Sequence, residues 1–107
     1  MDRLTIHEIS TSDSPVLRLA LAGELDVVNV GKLSDTAVRV LERGAQHILL
    51  DLTDVTWCDS GSLYTILGIR HAAQHAGVSL NISAAGAPVR ETLHRTGLRD
   101  LLPITPL

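Results

Sequence analysis

Residues 48–63 read ILLDLTDVTWCDSGSL, and this stretch decides the fold. Its first five residues form a run of strand length that is aliphatic except for Asp51, which is typical of a strand covered on both faces. The segment from Asp51 to Ser62 predicts a turn-rich connection. A helix is expected from Leu63 to about Ala76, because apolar residues recur there at helical spacing and Gly77 follows. A strand followed by a helix is the repeating unit of an α/β protein.

The residues before this stretch predict a hairpin and then a helix. Apolar residues alternate with polar ones over 4–9, and 16–22 is aliphatic apart from Arg18, so two strands are expected around a loop at 10–15. The Gly23-Glu24-Leu25-Asp26 segment is expected to break the second strand. Helical spacing follows from Val27 to Glu42, with Asp26 as the expected N-cap and Gly44 as the stop.

The residues after it predict one more strand and one more helix. Apolar residues at 78, 80 and 82 alternate with polar ones, and Pro88 suits the first turn of a helix that Gly97 ends. Residues 101–105 form a candidate final strand, which Pro103 would confine to an edge.

The whole chain, residues 1–107, is therefore predicted to be one α/β domain in the order β-β-α-β-α-β-α-(β). A mixed, mostly parallel sheet of four to five strands would pack against about three helices. In such sheets binding sites lie beyond the carboxyl ends of the strands, which directs attention to residues 23–26 and 56–62.

Composition excludes several classes of function. A net charge of −3 and an aromatic content of 2% argue against a nucleic-acid partner. The apolar runs are far shorter than the ~20 residues of a membrane span, and the first residues lack the pattern of a signal peptide. One cysteine allows no intramolecular disulfide. We expect a cytoplasmic module with no membrane partner.

Ser60 is the candidate functional residue, because it stands with Asp59 directly before the expected helix. A serine there is often only a cap. A phosphate on it would be tolerated next to unpaired N–H groups and the positive end of the helix dipole, and its charge would act outward on a partner. Asp59 is consistent with both interpretations of Ser60. It is either an acidic residue in the first turn of a helix or a carboxylate that orients the Ser60 hydroxyl during phosphoryl transfer.

Two separated motifs make the chain resemble the STAS family, most closely its bacterial anti-sigma-factor antagonists. They are Gly23-Glu24-Leu25-Asp26 and, later, Leu50-Asp51-Leu52, Val55, Asp59-Ser60 and Leu63, with Gly97-Leu98 near the end. By this resemblance Ser60 is the phosphoacceptor, and Asp26 is the acidic loop residue near it and near the partner. The family usually has Ser or Thr and then Gly after the acceptor, whereas here Gly61 precedes Ser62. Ser62 is therefore the second choice.

The resemblance implies a partner switch without catalysis, cofactor or metal. The unphosphorylated protein would bind an anti-sigma factor, often a serine kinase, and so release a sigma factor. Phosphorylation would end this binding and a serine phosphatase would restore it. Asp26, Asp59 and Gly61 would orient or bind the partner. Trp57 and Tyr64 flank the site, and one or both would contact the partner, as aromatic residues often do. The alternative for Trp57 is that it covers the core.

Other residues favour structural roles. Cys58 is expected to be a small buried side chain, and His71 and His75 a solvated pair with too few neighbouring ligands for zinc. Gly23 is expected to serve backbone geometry.

Three alternative functions remain. A STAS scaffold that binds its partner constitutively is the nearest. A receiver-like domain would need an acidic pair after the first strand to hold Mg²⁺, and this sequence has only Glu8 there. A hydrolase with Ser60 as nucleophile would need the Gly-x-Ser-x-Gly pattern, which this sequence lacks.

Overall fold

Four strands and three α-helices make up the computed structural model, which describes residues 3–9 and 14–106. The elements are β1 (Leu4–Ile9), β2 (Val16–Leu25), α1 (Gly31–Glu42), β3 (His47–Cys58), α2 (Ser60–His75), β4 (Ser79–Ala85) and α3 (Ala87–Thr96), followed by a short 3₁₀ turn at Leu98–Asp100. The predicted order of strands and helices is confirmed. Within the described ranges, no helix combines the length and apolar character needed to cross a membrane.

The sheet is mixed, with strand order β1-β2-β3-β4. β1 pairs antiparallel with β2, while β2 pairs parallel with β3 and β3 parallel with β4. The predicted hairpin is thus present, although most of its loop, residues 10–13, lies outside the described residues. Because β2 and β3 run parallel, their carboxyl ends meet at the same edge of the sheet.

The core lies on one face of this sheet. Leu19, Leu50 and Ile82 are in register across the three parallel strands and are almost completely buried. The helices contribute further buried residues to the same cluster, namely Leu33, Val40, Leu63, Ile66, Val89 and Leu93. Between the buried positions of β3, Leu49 and Asp51 remain partly exposed. The expectation that this strand is covered on both faces is therefore wrong, because its aliphatic run hides an alternation of burial.

Both β2 and β3 extend further than the sequence predicts. β2 continues to Leu25 and β3 to Cys58, through register shifts beside Ala22 and Glu24. Such irregularities bend a strand while the pairing resumes beyond them. The irregular pairing requires glycine at residue 23, because the φ of Gly23 is +104° and a Cβ at this position would overlap the carbonyl oxygen of Arg3. The strand thus continues through residues 23–25 and ends just before Asp26, and residues 51–58 are strand, not turn.

The predicted start of α1 and the predicted final strand also need correction. α1 begins at Gly31, four residues later than expected, and its N-cap is Val30 with no side-chain capping bond. Asp26 is consequently not the N-cap of α1, because a turn of four residues, 27–30, separates Asp26 from the first residue of the helix. At the carboxyl end, residues 101–105 form no strand, and a single parallel bridge joins Ile104 to Ile82. Gly97 does end α3 as predicted, with a left-handed φ of 76°.

Candidate functional site

The two segments selected from the sequence lie side by side. Glu24 pairs with Trp57 and Leu25 with Cys58 at the carboxyl ends of β2 and β3. Just beyond, the backbone N–H of Asp59 donates to the carbonyl oxygen of Leu25 at 3.2 Å. The turn at residues 26–30, which we call the valine loop, therefore stands next to the first turn of α2.

Asp59 is the N-cap of α2 and also holds the valine loop. Its backbone is extended (φ −96°, ψ 167°), and its Oδ1 accepts the N–H of Ser62 at 2.7 Å. Its Oδ2 accepts the N–H of Val27 at 3.2 Å. Both carboxylate oxygens are thus engaged by backbone donors, one on each side of the junction.

The two candidate serines occupy opposite environments. Ser60 is the first residue of α2 and is exposed, and its hydroxyl makes no hydrogen bond with any described residue. Ser62 is 0% exposed, and its hydroxyl donates to the carbonyl oxygen of Asp59 at 2.8 Å. Ser62 therefore acts as part of the cap, whereas the Ser60 hydroxyl is available to another protein.

Asp26 organises the valine loop from within. Only 7% of it is exposed, and its Oδ1 accepts the N–H groups of Val28 at 2.9 Å and Asn29 at 2.8 Å. Its other oxygen forms a 2.6 Å ion pair with Arg3. The hydrogen bond from the Asn29 N–H, with those from Val28 and Arg3, lowers the pKa of this carboxyl below its ordinary value in spite of its burial. Asp26 is therefore an ionised anchor of the loop.

Asn29 is a second anchor that the sequence did not single out. Its Oδ1 accepts the N–H of Asp26 at 2.9 Å, and its Nδ2 donates to the carbonyl oxygen of Glu24 at 2.7 Å. Asn at a turn is common for this kind of local bond, so the residue type three positions after Asp26 could have pointed to it.

Exposed apolar side chains surround the junction. Val28 is 81% exposed and Val27 58%, and Trp57 and Tyr64 are about half exposed, at 50% and 55%. Tyr64 lies four residues after Ser60 on α2, on the same side of the helix. Trp57 is thus not a cover for the core. Neither valine was predicted from the sequence to be functional, although two consecutive valines after an acidic turn residue are visible in it.

Gly61 is in close contact with the valine loop. A Cβ built on Gly61 would overlap Cγ1 of Val27, so a side chain at this position would require a displacement. Gly68, on the same helix, has no atom within 4 Å of the corresponding Cβ position. The absence of a side chain at residue 61 is therefore what allows Val27 to lie against α2.

Cys58 is the small buried side chain predicted from the sequence, and His71 and His75 face solvent. Cys58 is 4% exposed, and burial raises the pKa of its thiol. His71 and His75 are exposed, and the described residues contain no cluster of three or more His, Cys, Asp or Glu side chains able to hold a metal. Asp51 accepts hydrogen bonds from the backbone and hydroxyl of Thr53.

The sequence is similar to that of a known protein family. The family model of the STAS domain matches residues 8–106. An anti-sigma-B factor antagonist of Staphylococcus epidermidis is 27% identical over 101 residues, covering 94% of this chain and 92% of the relative.

Two solved structures are similar in fold. An anti-sigma factor antagonist from Mycobacterium paratuberculosis superposes with a TM-score of 0.72 at 22% identity, covering 97% of this chain and 86% of that one. The anti-sigma factor antagonist SpoIIAA in its unphosphorylated form also gives 0.72, at 17% identity, with coverages of 91% and 84%.

Proposed function

Because the chain belongs to the STAS domain family, we propose that it is an anti-sigma-factor antagonist controlled by phosphorylation of Ser60. The unphosphorylated protein binds an anti-sigma factor in the cytoplasm and releases a sigma factor. The observation that carries the proposal is the exposed hydroxyl of Ser60 at the start of α2, which bonds no described residue and is followed by Gly61, the contact of the exposed Val27. The name of the 27% identical relative supports the choice of partner.

The position of Ser60 suits a phosphoacceptor. A kinase can reach the hydroxyl without unfolding α2, because the residue is exposed and no described group competes for it. The phosphate would carry a charge of about −1.5 to −2 at the positive end of the helix dipole, which the fold tolerates. Ser62 is a poorer acceptor, since its hydroxyl is buried and already bonded to the Asp59 carbonyl.

The same phosphate would weaken docking of the partner. Val27, which lies against Gly61, and Tyr64, one helical turn after Ser60, expose apolar side chains near Ser60, and partner binding would remove them from water. An uncompensated charge at such a desolvated contact costs about 2–5 kcal/mol, or roughly 30-fold to several-thousand-fold in affinity. This range is sufficient for an exchange of partners.

Asp59 and Asp26 act as positioning residues in this proposal. Asp59 fixes the first turn of α2 and so the direction of Ser60, while Asp26 fixes the loop that carries the valines. Since both Asp59 oxygens accept backbone N–H groups, we assign it this positioning role and leave the activation of the hydroxyl to the kinase. No catalytic residue, metal or cofactor of this chain is required.

The test begins with the anti-sigma factors of the source organism, purified one by one and incubated with this protein and ATP. We expect one of them, acting as a serine kinase, to label Ser60, and the label to disappear in S60A. Labelling that persists in S60A would contradict the proposed acceptor. A serine phosphatase is expected to remove the label.

Binding is then compared between two variants of equal charge. S60D places a carboxylate at the junction, whereas S14D places one at an exposed serine before the opposite end of β2. We expect S60D to weaken binding at least 30-fold and S14D to leave it unchanged. Equal binding of S60D and the unmodified protein would leave a constitutive STAS scaffold as the better description.

A further inference from the structure

The contact between Gly61 and Val27 joins the phosphoacceptor helix to the exposed tip of the valine loop. We propose that Gly61 is a specificity-determining residue: by lacking a side chain, it fixes the direction of Val27 and so the shape of the surface that a partner meets beside Ser60. This inference rests on the proposed function for the partner's identity. The contact itself is a property of this chain alone.

The backbone of the valine loop has little freedom to move away. Asp26 and Asn29 together accept three of its N–H groups, and the Val30 N–H donates to the Asp26 carbonyl oxygen at 2.9 Å. The Arg3 guanidinium holds the Asp26 carboxylate from outside the loop. A loop held in this way presents Val27 and Val28 in one arrangement, so a partner need not order them on binding.

The weakest attachment of the loop is the one nearest Gly61. The bond from the Val27 N–H to Asp59 is 3.2 Å long and exposed, whereas the bonds to the Asp26 carboxylate are 2.8–2.9 Å and part-buried. A methyl group at residue 61 would meet Cγ1 of Val27, which is branched at Cβ and has only χ1 to rotate. Either Val27 turns to another rotamer or the Asp59 bond opens. Both outcomes change the surface beside Ser60.

The direction of the Val27 side chain affects partner binding because this side chain is only about half exposed. Part of its side chain lies over Gly61, and the rest is exposed to a partner. A partner pocket shaped for this arrangement would lose contact area if Val27 turned away. Gly61 thereby selects among anti-sigma factors by shape, while Ser60 controls binding by charge.

A cycle of variants tests the proposal: G61A, V27A and the double variant, with G68A as the matched control. G61A and G68A add the same methyl group to the same helix, but no atom lies within 4 Å of the added methyl at Gly68. The first measurement needs no partner. We expect faster hydrogen exchange at the Val27 amide and shifted Val27 methyl resonances in G61A, with neither change in G68A.

The second measurement is affinity for the anti-sigma factor that binds the unmodified protein. We expect G61A to weaken binding about tenfold, G68A to leave it unchanged, and G61A to have no additional effect when Val27 is already alanine. Unchanged Val27 resonances in G61A, or equal losses in both backgrounds, would overturn the inference. Failure of the unmodified protein to bind any anti-sigma factor would instead refute the proposed function.

Discussion

Replacing Asp59 by alanine tests whether one carboxylate joins α2 to the valine loop. The variant loses the capping bond to the Ser62 N–H and the bond to the Val27 N–H. Loss of an N-cap costs about 0.5–2 kcal/mol, and removal of an acidic group from a helix start about 0.3–1 kcal/mol. Because the second bond is exposed and longer, we assign it only a few tenths of a kcal/mol. We expect a total loss of about 1.5–2 kcal/mol.

The assay is urea unfolding at neutral pH, with D54A as the control. Asp54 is an exposed aspartate on β3 whose side chain forms no hydrogen bond or ion pair with a described residue, so removing its carboxylate should change stability by less than about 0.5 kcal/mol. A loss of 1.5–2 kcal/mol corresponds to a fall in Tm of about 6–12 °C for a domain of this size. D59N should recover most of the stability, since asparagine caps as well as aspartate.

The result that would refute the reasoning is a D59A variant as stable as D54A. The cap and the bond to Val27 would then contribute nothing, and Asp59 could not position Ser60. Hydrogen exchange at the Ser62 and Val27 amides separates the two contributions, because each amide donates to a different oxygen of Asp59.

Three further predictions concern the backbone, acid stability and the thiol. G23A should lower the free energy of unfolding by about 2–4 kcal/mol in denaturant titrations, because a side chain there is strained by φ and overlaps the Arg3 carbonyl. G77A, also at positive φ but in open space, should cost only about 1 kcal/mol. The pKa of the Asp26 carboxyl is lower in the folded chain than in the unfolded chain, so the unfolded chain takes up this proton first as the pH falls. The free energy of unfolding should therefore decline below about pH 4, and the decline should be shallower in D26N. Because burial raises the pKa of the Cys58 thiol, it should react with a disulfide reagent at pH 8 far more slowly than in urea, and a rate equal to that in urea would show that the thiol is exposed.

The order of strands and helices could be predicted from the sequence because it depends on local patterns. The alternation at 78–82, the helical spacing after Leu63 and the glycines at 77 and 97 are each visible within a few residues. Ser60 and Asp59 could be selected for the same reason, since a helix start is a local feature.

The lengths of β2 and β3 could not be predicted in this way. Pairing between β2 and β3 carries the two strands through Gly23 and Asp54, although Gly and Asp are residue types that are depleted in strands. Likewise, Asp26 resembles an N-cap locally, but its carboxylate is used by the turn before α1 and by Arg3 from another strand end. These outcomes depend on contacts between distant residues.

The sequence by itself determined the α/β order, the hairpin and the helix ends at Gly77 and Gly97, because periodicity and turn chemistry act over a few neighbouring residues. Only the tertiary structure decided that one face of the sheet is buried, that Ser62 is enclosed while Ser60 is exposed, and that Val27 lies over Gly61. The physical reason is that burial and contact depend on which segments meet in space. Here the parallel pairing of β2 with β3 brings residues 26–30 to the start of α2, more than thirty positions away in the chain.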